Sequence, residues 1–206
     1  MAWTYEQKFN TLANGNLNGQ DGWSVPSGIV TVQTNIVYEG AKAIELDRPN
    51  GSANAIRSIE AINEGTVYFA IRTAGSMTWG AHDAVAFHLQ EGTTTRMRIQ
   101  LGQSNIWILD NTTDVSIYSS AASNTWYLIA LQFDNINHPN QYRARVHDGA
   151  WQPWSDWKTV GGGSYTEINR IFIPQRAGEF NSFIDTITPT NPYPPPAVPK
   201  SRGFVF

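Results

Sequence analysis

Hydrophobic residues alternate with polar ones through the middle of the chain, between residues 65 and 133. Every second side chain is apolar in residues 66–73 and 83–90, and the same period continues in residues 96–101 and 126–133. A period of two is typical of β-strands whose two faces lie in different environments. A sheet with one apolar face must bury that face against a second layer. The pattern therefore predicts an antiparallel β-sandwich with these strands at its centre.

The flanking segments predict further strands and tight turns. Alternation predicts strands at residues 29–38, 42–46, 55–62, 142–147, 168–173 and 182–187. The first 28 residues are rich in Asn-Gly and Asp-Gly pairs, which tolerate positive φ and predict ordered turns. Four apolar side chains should anchor these turns: Phe9, Leu12, Leu17 and Trp23. Asp148-Gly149 predicts a type I′ hairpin, glycines 161–163 predict a turn, and no segment predicts a helix.

The composition changes at Pro189. A chain of 206 residues suits one all-β domain, which we expect to occupy residues 1–188. Six of the eleven residues from 189 to 199 are proline, which favours an extended polyproline II segment. Residues 189–206 are therefore either a linker or an extended arm that docks on a partner. The second interpretation assigns the docking contacts to Pro194, Pro195, Pro196, Phe204, Val205 and Phe206.

Composition and charge narrow the classes of function. The net charge is −3 and no cluster of Lys and Arg exists, so we expect no nucleic-acid partner. No run of about 18 apolar residues exists, so we expect no membrane insertion, and no signal-peptide pattern is visible at the N-terminus. Charged residues make up only 15% of the chain, and a surface of Asn, Thr, Ser and Gln favours a virion surface or an extracellular location. The absence of cysteine excludes disulfides and thiolate metal sites.

Short motifs carry a resemblance to a known fold family. Residues 9–23 resemble the opening of concanavalin A-like lectin and glucanase (LamG-like) domains. Residues 124–131 with Asp148-Gly149 resemble the middle of these domains, and residues 183–187 resemble their closing strand. The resemblance covers roughly residues 5–188. It implies an all-β, two-sheet antiparallel jelly roll with one concave and one convex sheet, in a protein that handles sugars or decorates a surface. The same opening resembles small structural proteins of tailed-phage particles.

The same resemblance has implications for catalysis and metal binding. Catalytic proteins of this family carry a Glu-x-Asp-x-x-Glu or Glu-x-Asp-x-Glu strand, in which alternate residues supply a nucleophile and an acid/base. The nearest match here, Glu45-Leu46-Asp47, lacks the second Glu and is followed by Pro49. We therefore predict no catalytic residue and no enzymatic activity. Many such proteins hold a structural Ca²⁺ near the final strand, where Asp185 matches, so the resemblance implies no required cofactor but allows Ca²⁺ at Asp185.

The candidate glycan-binding residues are three tryptophans and two arginines: Trp151, Trp154, Trp157, Arg143 and Arg145. Flat aromatic faces can stack on sugar rings. Indoles at a spacing of three cannot all face the same side of a regular strand, which favours one or two plugging the sandwich edge and one exposed. Six cationic positions alternate outward from predicted strands: Arg72, His88, Arg96, Arg98, Arg143 and Arg145. If several of these side chains lie on the concave sheet, they would suit an acidic glycan or the acidic surface of a partner protein. If they are scattered, they are ordinary solvated residues.

The sequence favours a non-enzymatic structural or decoration protein, of a virus (phage) particle, as the leading hypothesis. In it, a lectin-like jelly roll attaches through its C-terminal arm to a capsid or other particle protein, or to a second copy of itself. The alternative is a carbohydrate-binding module or lectin with a glycan partner, and the two roles can coexist. A glycoside hydrolase is the third hypothesis.

Overall fold

The computed structural model describes residues 2–47, 52–74, 85–102, 104–175 and 181–192. Within these ranges the chain forms β-strands and a single 3-10 turn at Gln20–Gly22, with no α-helix. The described part has no helix long and apolar enough to cross a membrane. The strands are β1 Gly15–Asn16, β2 Trp23–Ser27, β3 Ile29–Gln33, β4 Ala43–Asp47, β5 Ala53–Ile62, β6 Glu64–Thr73, β7 Val85–Glu91, β8 Thr94–Gly102, β9 Asn105–Asp110, β10 Thr113–Tyr118, β11 Tyr127–Asp134, β12 Gln141–Asp148, β13 Ala150–Trp151, β14 Lys158–Thr159, β15 Ile168–Gln175 and β16 Ser182–Thr188.

The strands form two antiparallel sheets. The nine-stranded sheet has the order β1-β3-β4-β16-β6-β11-β12-β13, and β14 also pairs with β12. The seven-stranded sheet has the order β10-β9-β8-β7-β15-β5-β2. The predicted all-β, two-sheet antiparallel sandwich is confirmed.

The apolar faces of both sheets meet in one core. Phe69 of β6 stacks on Phe87 of β7, with ring centroids 4.0 Å apart, so the predicted central strands come from different sheets and face each other. The alternating apolar residues of β6, β7, β8 and β11 are buried, as the period of two predicts. The four anchors of the N-terminal turns, Phe9, Leu12, Leu17 and Trp23, are also buried, which confirms their predicted role.

A buried tyrosine hydroxyl links the two sheets. Tyr142 belongs to β12 of the nine-stranded sheet, and its side chain is fully buried. Its hydroxyl donates to the carbonyl oxygen of Leu109 at 2.6 Å and accepts from the backbone N–H of Arg98 at 3.2 Å. Both of these partners lie in the seven-stranded sheet, on β9 and β8. Polar main-chain groups of one sheet are therefore satisfied by a side chain of the other.

The strand predicted at residues 29–38 is shorter in the structure, because β3 ends at Gln33. The side chain of Gln33 accepts the backbone N–H groups of Asn35 and Ile36, at 2.6 and 2.9 Å. It also donates to the carbonyl oxygen of Ile36 at 2.7 Å. These local bonds take the place of sheet pairing, a role typical of polar side chains in turns.

Two hairpins differ from what the sequence predicted. The hairpin of β9 and β10 was not predicted at all, and its chain reverses at Asn111, whose φ is 55°. The Asp148-Gly149 hairpin forms, but only Gly149 has positive φ, so its turn is not type I′. The predicted strand at residues 83–90 is described from Val85 onward. The predicted arm contacts, Pro194, Pro195, Pro196, Phe204, Val205 and Phe206, lie outside the described residues.

Candidate functional site

The six predicted cationic positions divide between the outer faces of the two sheets. Arg72, Arg143 and Arg145 lie on β6 and β12 of the nine-stranded sheet, whereas His88, Arg96 and Arg98 lie on β7 and β8 of the seven-stranded sheet. The single cationic surface suggested as one alternative is therefore not formed. Two separate surfaces have to be considered.

On the seven-stranded sheet, Arg96 and Arg98 are paired within the protein. Arg96 contacts Glu91 at 2.6 Å and donates to the carbonyl oxygens of Gly161 and Gly162. Arg98 forms an ion pair with Asp114. Hydrogen bonds from Thr166, together with Arg96, lower the pKa of Glu91 to about 2. These charges hold loops and neighbouring strands together, so they are not free to recognise an anionic ligand.

A groove of about 550 Å³ lies on the outer side of the seven-stranded sheet, beside this ion-pair network. It crosses β2, β5 and β15 and reaches the turn between β7 and β8. Hydroxyl, amide and guanidinium groups surround an apolar strip in the groove, which is lined by Ser24, Ile56, Ser58, Ile59, Gly92, Thr93, Asn169 and Arg170. The apolar strip continues at Phe172, which lies opposite Ile56 on the neighbouring strand.

The polar side chains at one end of the groove are fixed by the β7–β8 turn. Asn169 accepts the backbone N–H of Gly92 at 2.8 Å, and Arg170 donates to the carbonyl oxygen of Gly92 at 3.2 Å. Next to them, buried His88 packs edge-on against Phe172, with ring centroids 5.4 Å apart. The groove therefore has an ordered polar end beside an aromatic ring.

The nine-stranded sheet carries a ladder of alternating indoles and guanidiniums. Arg145 lies between Trp151 and Trp154, at 4.4 and 4.5 Å from the ring centroids. Arg143 lies between Trp154 and Trp157, at 4.8 and 4.7 Å. These distances are well within the range of cation–π interactions. We call these five residues the Trp–Arg ladder.

The ladder forms because the tryptophan segment is not a regular strand. The backbone N–H groups of Gln152 and Ser155 donate to the carbonyl oxygens of Val146 and Ala144, and Lys158 pairs with Tyr142. Three residues of the tryptophan segment therefore cover the same distance as two residues of β12. Tryptophans at every third position then meet arginines at every second position. The expectation that the indoles cannot share one side of a regular strand does not apply here, because this segment is not a regular strand.

The faces of the indole rings are largely occupied within the ladder. Trp154 contacts two guanidiniums, and Trp157 contacts Arg143 and stacks on His138, whose ring centroid is 3.8 Å away. Trp151 packs against Arg145 and contacts Tyr68 and His147 edge-on. Stacking of a sugar needs an open ring face, so this geometry does not favour the predicted indole platform. All three indoles are half-buried, rather than one exposed and the others plugging the edge.

The surroundings of Asp185 do not fit Ca²⁺. Its carboxylate is buried and accepts three backbone N–H groups, from Tyr38 at 2.9 Å, Glu39 at 3.0 Å and Thr186 at 2.7 Å. Ca²⁺ takes six to eight oxygen ligands, whereas these neighbours present donors. In the described parts of the chain, no three metal-ligating side chains converge. Burial raises the pKa of Asp185 to about 6, and the nearby charge of Glu39 adds to this effect. Asp185 instead fastens the loop after β3 to β16.

The acidic pair Glu45 and Asp47 lies on β4 of the nine-stranded sheet, away from the groove. Glu45 accepts a hydrogen bond from the side-chain amide of Asn181. The nearest sequence match to a catalytic motif is therefore not located in the groove.

Comparison with solved structures defines the fold. A sialidase matches 90% of this chain at 12% identity with a TM-score of 0.66, although this chain covers only 18% of that sialidase. The Ca²⁺- and Man3GlcNAc-bound exoplasmic/lumenal domain of VIP36 matches at 10% identity, with 93% of both chains covered and a TM-score of 0.54. The Bacillus licheniformis β-glucanase matches at 14% identity, over 91% of this chain and 98% of that one, with a TM-score of 0.53.

The fold is a concanavalin A-like jelly roll. No protein-family model matches the sequence, and no curated protein matches it. At these identities the likeness concerns the fold of the jelly roll alone.

Sequence reasoning missed the groove and the pairing within the ladder. The groove residues come from β2, the β7–β8 turn and β15, which meet only through the order of the strands. The signal for the ladder was present, since Trp recurs at every third position and Arg at every second position on two adjoining segments.

Proposed function

We propose that the chain is a non-enzymatic, glycan-binding domain of lectin type whose sugar site is the groove on the seven-stranded sheet. The observation that carries the proposal is the combination of hydroxyl, amide and guanidinium groups around the strip of Ile56 and Ile59. Sugars present hydroxyl groups at their edges and C–H groups on their faces, so they suit a site with both kinds of partner. The shared jelly-roll fold of VIP36 and the β-glucanase supports the same class of ligand.

Binding without hydrolysis is favoured by the lining of the groove. Most glycosidases need a pair of carboxyl groups that flank the scissile bond. The described residues that line the groove include no carboxylate. The nearby Glu91 is held by Thr166 and Arg96, and its lowered pKa suits an internal ion pair rather than a general acid.

The test is to fill the groove and measure glycan binding. Ser58 is exposed and lines the groove, whereas Glu60 is exposed on the same strand but outside the lining. The full chain and the Ser58→Trp and Glu60→Trp variants would be compared on an array of neutral glycans, with and without EDTA. We expect Ser58→Trp to lose binding, Glu60→Trp to retain it, and EDTA to leave it unchanged. Equal binding by both variants, or no binding by the full chain, would contradict the proposal.

A role in a particle is compatible with glycan binding. The proline-rich composition of residues 189–199, followed by Phe204, Val205 and Phe206, favours attachment of the jelly roll to a capsid protein or to a second copy through an extended arm. A stiff polyproline segment loses little conformational freedom when it docks. On this view, the groove serves attachment to glycans from a virion surface.

A further inference from the structure

We infer that Arg143 and Arg145 of the Trp–Arg ladder form a second binding site, for an acidic polysaccharide. Both arginines are half-buried, and neither has a carboxylate within salt-bridge distance among the described residues. Five other cations of the described chain are paired with acids, namely Lys8, Arg57, Arg96, Arg98 and Lys158. Within that part of the chain, Lys42, Arg72 and Arg170 bond only uncharged partners, and they lie apart from one another. The ladder therefore holds two uncompensated positive charges side by side in a protein of net charge −3.

The two guanidiniums lie between indoles, which leaves their edges for hydrogen bonding. The carbon of each group lies over two indole rings, at 4.4–4.8 Å from the ring centroids. The Nε of Arg143 donates to Gln132 at 2.8 Å, and the Nε of Arg145 is buried without a partner. The terminal nitrogens are thus the donors that remain, and a planar guanidinium edge matches a carboxylate or sulfate with two parallel hydrogen bonds. Because the indoles fix both groups in advance, little side-chain entropy is lost on binding.

The repeat of the ladder favours a polymer over a single small anion. Two residues of a strand span about 6.7 Å, so the two guanidiniums form a short row along β12. A chain with repeated anionic groups can contact both. Gln132 lies opposite Arg143 on β11 and offers an uncharged amide for ring hydroxyls, which a sugar polymer carries and an acidic peptide does not. This surface belongs to the nine-stranded sheet, so it is separate from the groove.

The test uses heparin as the sulfated polysaccharide, with dextran and poly-L-glutamate as comparison ligands. Titration calorimetry on the full chain should show heparin binding that weakens with salt, and no dextran binding at the ladder. Arg145→Gln should weaken heparin binding by about tenfold or more, since a charge-assisted pair is lost. Arg145→Lys keeps the charge but not the planar edge, and it should also weaken binding. Arg72→Gln removes one charge from the same sheet outside the ladder and should change affinity by less than about fivefold.

Several outcomes would overturn the inference. The inference fails if the full chain does not bind heparin or if both Arg145 variants bind it as tightly as the full chain does. It also fails if Arg72→Gln weakens heparin binding as much as Arg145→Gln does. Equal binding of poly-L-glutamate with the same dependence on Arg145 would make this an acidic-peptide site instead. Melting temperatures of all variants identify loss of folding, and Arg145→Lys decides the result if Arg145→Gln unfolds. Ser58→Trp should leave heparin binding intact, which distinguishes this site from the groove.

Discussion

Replacing Tyr142 by Phe removes one buried oxygen atom and is expected to weaken the link between the two sheets. The hydroxyl serves the carbonyl oxygen of Leu109 and the backbone N–H of Arg98, and both groups lose this partner in the variant. A buried main-chain group without a partner costs about 1–3 kcal/mol. For the two groups together, the expected loss in the free energy of unfolding is therefore about 2–6 kcal/mol. For a chain of this size, that corresponds to a decrease in Tm of about 4–24 °C.

The measurement is urea denaturation of the native chain and the variant, followed by circular dichroism and tryptophan fluorescence. Tyr118→Phe is the matched control, because the hydroxyl of Tyr118 bonds to Asp148 at an exposed position. We expect the control to lose less than about 1 kcal/mol, as is usual for surface substitutions. A Tyr142→Phe variant as stable as the control would refute the reasoning that this hydroxyl stabilises the contact between the sheets.

Two further predictions concern Asp185 and the C-terminal residues. Burial raises the pKa of Asp185 to about 6 from an ordinary 3.8, so its contribution to stability is full below about pH 3.8 and is lost as the pH rises through 6. Relative to Asp185→Asn, the native chain should therefore lose about 2 kcal/mol between pH 4 and pH 7 in urea titrations, and a constant difference would contradict this. A chain ending at Thr188 should remain folded. In light scattering it should be monomeric, whereas the full chain should self-associate or bind a particle protein. If the two chains behave identically, residues 189–206 are a linker.

Much of the sandwich could be predicted because its strands have one buried face. In β6, β8 and β11 the alternation of apolar residues reflects burial directly, so the sequence contains the signal. The end of β3 could not be predicted in the same way, because the side chain of Gln33 replaces sheet pairing at a position where apolar residues continue. Local hydrogen bonding, rather than hydrophobicity, decides the end of that strand.

The candidate sites were less predictable than the fold. Asp185 was placed correctly in the final strand, but two of the three backbone N–H groups that it accepts come from a loop almost 150 residues earlier in the chain. Groove residues such as Ser58 and Asn169 have no distinctive pattern, and strand order alone brings them together. The Trp–Arg ladder was misjudged, because its geometry depends on a register that a regular strand does not have.

That register also determines which changes of length this edge of the jelly roll can accommodate. Because three residues of the tryptophan segment match two residues of β12, a single inserted residue would shift every later indole away from its arginine. One further step of the ladder needs three residues with a new Trp and two residues with a new Arg on β12, and β11 must lengthen by two residues to keep its pairing with β12. The ladder thus changes length only in whole steps that include its supporting strands, and the number of anionic groups it contacts would change with each step.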